Sequence, residues 1–238
     1  MAQHKPGARM HSNTGKTDIP MAYISKKVFF MNRPFLCSPK TLIPRRDTEV
    51  LVKKSLQLLS QIKQKPTVIE IGTGTGNIAV SLALHNKQVD IYASDISKDA
   101  VSVAKKNISK YKLQQRINLC IGDMFTPFKN NGVKKVDMII CNPPYIPINK
   151  IQTLSKQVTD HEPLVALKAG PFGMAIIKKL ISQSPTYLKQ GGYLLFEFGE
   201  KQDRLVERLL KRNGCYTNIQ FYKYNGVKRF VSAQYICE

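Results

Sequence analysis

The chain has 238 residues, 42% of them hydrophobic, and 37 basic against 16 acidic side chains give it a formal net charge of +21. That length and apolar share supply the core of one sizeable domain with a small appendage, and the basic excess favours polyanionic or acidic partners. The sequence lacks both an unbroken apolar run of about 18 residues and an N-terminal secretory apolar segment, which argues against a membrane-crossing helix and an exported chain. The five cysteines, at positions 37, 120, 141, 215 and 237, are odd in number and form no C-x-x-C, so reduced thiols in a reducing compartment are expected. Cys120 and Cys141 end apolar runs, where cysteine behaves as a small hydrophobe. The four histidines, at 4, 11, 85 and 161, show no metal spacing, and no metal site is expected.

Residues 1–18 are polar and basic, with Pro6, Gly7 and Gly15 set against a stable helix, and read as a disordered tail. A helix is predicted over 48–62, with Asp47, Thr48 and Glu49 as start chemistry. Next comes a β-branched strand, 67–71, that breaks into Gly72-Thr73-Gly74-Thr75-Gly76 and a helix over 77–85. Glycines there allow left-handed backbone and close approach of a ligand to a helix N-terminus. Their G-x-G-x-G spacing differs from the G-x-G-x-x-G of dinucleotide sites. A second strand, 89–94, delivers Asp95, which suits the two hydroxyls of a ribose and equally suits capping the next helix, 98–110.

Strand 117–121 leads to Asp123, and strand 136–141 ends in Asn142-Pro143-Pro144-Tyr145. Two prolines fix two φ angles and remove two donors, leaving the carbonyls of Asn142 and Pro143 as free acceptors. Such a turn grips a planar NH2 group, with Tyr145 as a flat wall; alone, it is also just a proline-rich stop to a strand. A helix over 173–189, a strand over 192–198 and a helix over 201–212 follow. In the last helix Leu205, Val206, Leu209 and Leu210 form the apolar stripe, and Arg204, Arg208, Lys211 and Arg212 fall on a basic face open to solvent or to an anionic partner. Strands 216–222 and 228–234, joined through Asn225-Gly226, read as an antiparallel hairpin. Strand–helix alternation predicts an α/β fold with a mostly parallel sheet, whose carboxyl edge gathers Gly72 to Gly76, Asp95, Asp123 and Asn142 around one crevice.

The order of Glu70 to Gly76, Asp95, Gly122-Asp123-Met124-Phe125 and Asn142 to Tyr145 resembles a class I (Rossmann-like) S-adenosylmethionine-dependent methyltransferase. Residues 29–52, His161 to Leu167, Gly173-Met174 and Gly191 to Glu197 are similar to blocks of the HemK/PrmC family, which methylates the glutamine of the Gly-Gly-Gln loop in peptide chain release factors. The resemblance spans residues 19–238 and implies a seven-stranded sheet ending in that hairpin. It divides the chain into the 1–18 tail, a 19–62 leader hairpin and helix, and a 63–238 catalytic domain. S-Adenosyl-L-methionine is the implied cofactor, held by Gly72, Thr73, Gly74, Thr75 and Gly76 at the methionine and sugar side, Asp95 at the ribose, Asp123 and Met124 at the adenine, and Asn142 beside the methyl. Asn142, Pro143 and Tyr145 are the implied catalytic residues, and Pro144 joins them in binding substrate. Arg45 and Glu49 are further candidates to close over the cofactor. A release factor is the implied partner, for a monomer in the cytoplasm or an organellar matrix.

The sequence departs from the family at Arg46, where a second proline is usual, at Met124, where several relatives carry Trp, and in its short polar front end. Two other readings stay open: an N-methyltransferase acting on an exocyclic amine of adenine or guanine in RNA or DNA, and a cofactor-binding scaffold without catalysis.

Overall fold

A computed structural model describes residues 19–130, 132–147, 163 and 171–237. The His161 to Leu167 block lies outside the described residues apart from Pro163. A short helix α1 (Met21–Ile24) precedes a two-stranded hairpin, β1 (Lys27–Phe30) and β2 (Arg33–Leu36). Among the described residues, the α-helices and strands that follow in chain order are α2 (Thr48–Leu59), β3 (Thr67–Ile71), α3 (Asn77–His85), β4 (Asp90–Asp95), α4 (Lys98–Lys110), β5 (Ile117–Ile121), α5 (Thr126–Asn130), β6 (Val136–Cys141), α6 (Ala175–Gln183), β7 (Leu188–Glu197), α7 (Asp203–Asn213), β8 (Tyr216–Tyr224) and β9 (Val227–Tyr235).

Seven strands form one sheet in the order β5-β4-β3-β6-β7-β9-β8. The first five run parallel, and β9 pairs antiparallel with both β7 and β8, so the predicted Rossmann-like architecture and its closing hairpin are both present. Strand period sorts the core into two layers. Val68, Met138 and Ile140 face one side with Ile78 and Leu82 of α3, while Ile69, Ile71, Ile139 and Cys141 face the other with Ile177 and Leu180 of α6. The leader hairpin is tied to α4, where the Asn107 side chain accepts from Leu36 N at 2.8 Å and donates to Leu36 O at 2.9 Å.

Register decides where loops emerge. Ile71 stands opposite both Ser94 and Cys141, and Asp95 opposite Ile121, so the carboxyl ends of β3, β4, β5 and β6 finish within about one residue of one another. Each of the four loops that follow therefore opens onto the same edge of the sheet.

The structure corrects the sequence reading at four places. The helix expected over 173–189 stops at Gln183, because Pro185 has no N–H to continue the ladder and the Ser184 hydroxyl donates to Leu180 O at 2.7 Å; a 3-10 turn, Ser184–Thr186, follows. Strand β7 begins at Leu188, ahead of Gly191-Gly192, which lie inside it near a register shift against β6. In α7 Val206 and Leu210 are buried at i, i+4 spacing, whereas Leu205 points to solvent. Finally, Cys215 and Cys237 form a disulfide with Cα atoms 5.2 Å apart, leaving Cys37, Cys120 and Cys141 as thiols. Pairing of Tyr216 with Tyr235 at the open end of the hairpin brings these flanking cysteines together, a contact that spacing along the chain does not reveal. Among the described residues, no helix is long and apolar enough to cross a membrane.

Candidate functional site

A cavity of about 240 Å³ opens at the carboxyl edge of the sheet, lined there by Gly72, Gly74, Asp95, Asp123, Met124, Asn142, Pro143 and Pro144. Lys40, Thr41 and Leu42, from the segment before α2, close another side. Three of the residues expected at the cofactor and one expected at the substrate do not reach its surface. Thr73 and Thr75 are buried and spend their hydroxyls inside the turn, on Glu70 and Asn77, and Gly76 sits at the N-cap of α3 against Ala104. Tyr145 turns its hydroxyl away to Glu197 at 2.8 Å, and one ring face carries the Arg229 guanidinium at 4.9 Å.

The glycine turn is built from below. Gly72, Gly74 and Gly76 take φ of +70°, +56° and +77°, values that side chains adopt only with strain. At Gly72 and Gly74 a Cβ would meet nothing within 4 Å, so this stretch of backbone lies open to the cavity. Underneath, Glu70 Oε2 accepts from the Thr73 hydroxyl at 2.9 Å and from Ala79 N at 3.1 Å, pinning the turn to the first turn of α3. Burial pushes the Glu70 carboxyl up to about 8, against the pull of those two bonds.

That shift has a sign that can be measured. The unfolded carboxyl ionises near 4.5 and the folded one near 8, so between those values the native state holds a proton that the unfolded chain has released. The stability associated with this group is fully present below 4.5 and is lost as pH rises to about 8. Denaturant melts at about pH 5 and about pH 8.5 are expected to show the wild type losing stability relative to Glu70→Gln, which carries no such proton. An identical pH dependence in the two proteins would reject the role of Glu70.

Asp95 links two neighbouring loops. Its Oδ2 accepts from Gly74 N at 2.8 Å and its Oδ1 from Ser97 N at 2.9 Å. The cap of α4 is Ser97, whose hydroxyl oxygen accepts from Ala100 N at 3.2 Å, so the alternative assignment of Asp95 as that cap does not hold. Asp123 pairs with Lys179 of α6 at the cavity's outer lip. Met124, buried with φ +49°, forms part of the apolar lining with Ile96. Glu49 is engaged elsewhere, accepting from Met31 N at 2.9 Å and so tying α2 to the leader hairpin.

Behind Asn142 lies a polar network that sequence reading missed. Asn142 Nδ2 donates to Thr48 Oγ1 at 3.1 Å, and that hydroxyl donates to Glu197 Oε2 at 2.9 Å. Glu197 Oε1 accepts from the Tyr145 hydroxyl and, at 3.2 Å, from Arg229 Nη2, which also lies 3.6 Å from Asp47. Glu197 is fully buried; burial and the Asp47 charge raise its carboxyl to about 7, while Arg229 and the bonds from Tyr145 and Thr48 oppose the rise. The available signal was a carboxylate closing the apolar run Leu194-Leu195-Phe196, where an unpaired charge is not tolerated. Nothing comparable marked Thr48 or Arg229.

The far side of the proline turn is held as firmly. Gln202 Nε2 donates to the carbonyls of Tyr145 and Phe172, both at 2.9 Å, and its Oε1 accepts from Gly199 N at 2.7 Å. At Gly173 a Cβ would lie 2.0 Å from Tyr145 O, so only glycine fits there.

Comparison with known proteins places this geometry. Residues 62–226 match the family model described as a methyltransferase domain. The chain is 36% identical over 229 residues to the release factor glutamine methyltransferase of Bacillus subtilis (strain 168), covering 94% of this chain and 78% of that one. It is 33% identical over 219 residues to the release factor glutamine methyltransferase of Aquifex aeolicus (strain VF5), covering 92% and 76%. Among solved structures, the ribosomal protein L11 methylase of Lactobacillus delbrueckii subsp. bulgaricus superposes with a TM-score of 0.60 at 18% identity, covering 84% of each chain. A methyltransferase from Pyrococcus furiosus superposes at 0.59 with 16% identity, covering 91% and 94%. These two share the fold.

Proposed function

This chain belongs to the family of release factor glutamine methyltransferases, and from that premise we propose that it methylates the side-chain amide nitrogen of a glutamine, that of the Gly-Gly-Gln loop of a peptide chain release factor, using S-adenosylmethionine. The observation that carries the reading is the placement of Asn142, Pro143 and Pro144 on the wall of the same cavity that Gly72, Gly74 and Asp95 line.

The cavity's residues fit such a cofactor. Open glycine backbone at Gly72 and Gly74 admits a close main-chain approach, the Asp95 carboxylate suits vicinal hydroxyls, and Met124 with Ile96 offers an apolar slot for a flat base. When bound, the cofactor supplies a sulfonium methyl that is already a strong electrophile.

What the protein must supply is orientation, because an amide nitrogen has its lone pair delocalised into its carbonyl and attacks poorly. The Asn142 side-chain oxygen and the Pro143 carbonyl accept the two hydrogens of the substrate NH2. Between them they fix the plane of the amide and favour the positive charge that grows on nitrogen. Positioning of this kind is worth on the order of 7–11 kcal/mol. The turn contains no general base, and none is needed, since an alkylated amide nitrogen gives up its proton readily to water.

Incubation with methyl-labelled cofactor, a release factor, its Gly-Gly-Ala loop variant and total RNA tests the reading. Label is expected in the factor, absent from the loop variant and absent from RNA. Label in RNA alone would replace a protein glutamine with a nucleobase amine as the substrate.

A further inference from the structure

The network behind Asn142 fixes a direction for every hydrogen in it. Arg229 only donates, and its Nη2 lies 2.6 Å from the Tyr145 hydroxyl, so that oxygen accepts and its own hydrogen goes to Glu197. Above about pH 7 the Glu197 carboxyl is ionised and only accepts, so there the single hydrogen of Thr48 is committed to Glu197 Oε2. The Thr48 oxygen is then left as an acceptor toward Asn142, which must answer with its NH2 end. Once the NH2 of Asn142 is turned to Thr48, its carbonyl oxygen is the end that remains for the cavity.

We propose that Thr48 and Glu197 are positioning residues that set which end of the Asn142 amide faces the substrate, and so commit the site to groups that donate two hydrogens, a primary amide or amine. An asparagine amide is nearly symmetric in shape, and packing alone distinguishes its two ends poorly. A wrongly turned amide would present donors to a donor. The inference rests on the proposed reaction for its kinetic consequences but not for the geometry itself.

Glu197→Gln is the sharpest test because it keeps the shape and reverses the logic. Oε1 of Glu197 receives donors from both Tyr145 and Arg229, so the glutamine oxygen occupies that end and its NH2 faces Thr48. Thr48 then accepts from Gln, and its hydrogen, having lost the Glu197 acceptor, is expected to swing to Asn142 and turn that amide over. Thr48→Val removes the relay instead and leaves the amide free to take either orientation, while Thr48→Ser preserves it.

With a release factor as substrate, at about pH 8.5, where Glu197 is ionised, kcat is expected to fall at least about tenfold in Glu197→Gln and in Thr48→Val, with cofactor affinity within about twofold, and to stay within about threefold in Thr48→Ser. In protein labelled with ¹⁵N-asparagine, the Asn142 side-chain NH2, assigned by its loss in Asn142→Ala, is expected to exchange slowly with water in the wild type and in Thr48→Ser and rapidly in the other two. Wild-type exchange in both Glu197→Gln and Thr48→Val, or wild-type kcat in either, would overturn the proposal. Because the exchange measurement needs no substrate, it decides the relay even if no release factor accepts label, an outcome that would instead defeat the proposed reaction.

Discussion

Asn142→Ala is expected to lower kcat by about 10²–10³-fold while leaving cofactor affinity within about twofold, as measured by label transfer and calorimetry. The magnitude follows from removing one of two acceptors that hold the reacting nitrogen; loss of a single preorganised hydrogen-bonding group at a reacting centre costs about 2.7–4 kcal/mol. Binding should be spared because Asn142 is one part of a cavity whose Gly72, Gly74, Asp95 and Met124 surfaces remain intact. Loss of the side chain also strands the Thr48 oxygen, now without its donor. That cost falls on stability, not on the cofactor, and a thermal melt separates it from the kinetic effect. Turnover within about threefold of the wild type would remove Asn142 from the reaction, since uniform binding losses appear in KM and this one belongs in kcat.

What was legible in the sequence was whatever a strand delivers at its own end. Gly72, Gly74, Asp95 and Asn142 each close a strand whose apolar run is readable alone, and parallel register then carries all four to one edge. Their second layer was not legible, because it depends on contacts between distant segments. Thr48 begins a helix and Glu197 ends a strand 149 residues later, and only the packing of α2 against the end of β7 makes them partners. The same holds for Cys215 and Cys237, brought together by hairpin register. Tyr145 shows a different limit. Its place in the chain is fixed by the two prolines, but whether its ring faces the cavity or the protein is decided by Glu197 and Arg229, which offer its hydroxyl a buried acceptor and a donor. Thr73 and Thr75 followed the glycines into the expected site by adjacency, yet alternation in the turn sends their side chains inward.

Asp95→Ala is expected to weaken cofactor binding by about 10- to 10⁴-fold, with kcat at saturating cofactor reduced far less. Hydrogen bonds to a charged group contribute about 1.5–3 kcal/mol each, and a carboxylate serving two ribose hydroxyls forfeits up to two of them when removed. A second effect acts in the same direction. Asp95 accepts from Gly74 N and Ser97 N, so alanine releases both the glycine turn and the start of α4 from their common anchor. Burial raises the Asp95 carboxyl above the usual carboxylate range, and the bonds from Ser97, Gly74 and Ile96 hold that rise in check. Asp95→Asn separates the two contributions. Asparagine retains one oxygen, able to accept from Gly74 N or Ser97 N but not from both as the carboxylate does, and it loses the charge. Its affinity is expected to fall between those of the wild type and alanine. Calorimetry that finds all three affinities equal would show that Asp95 shapes the loop without holding the cofactor. An asparagine variant as weak as alanine would assign the effect to what both substitutions remove, the charge and the simultaneous hold on Gly74 N and Ser97 N.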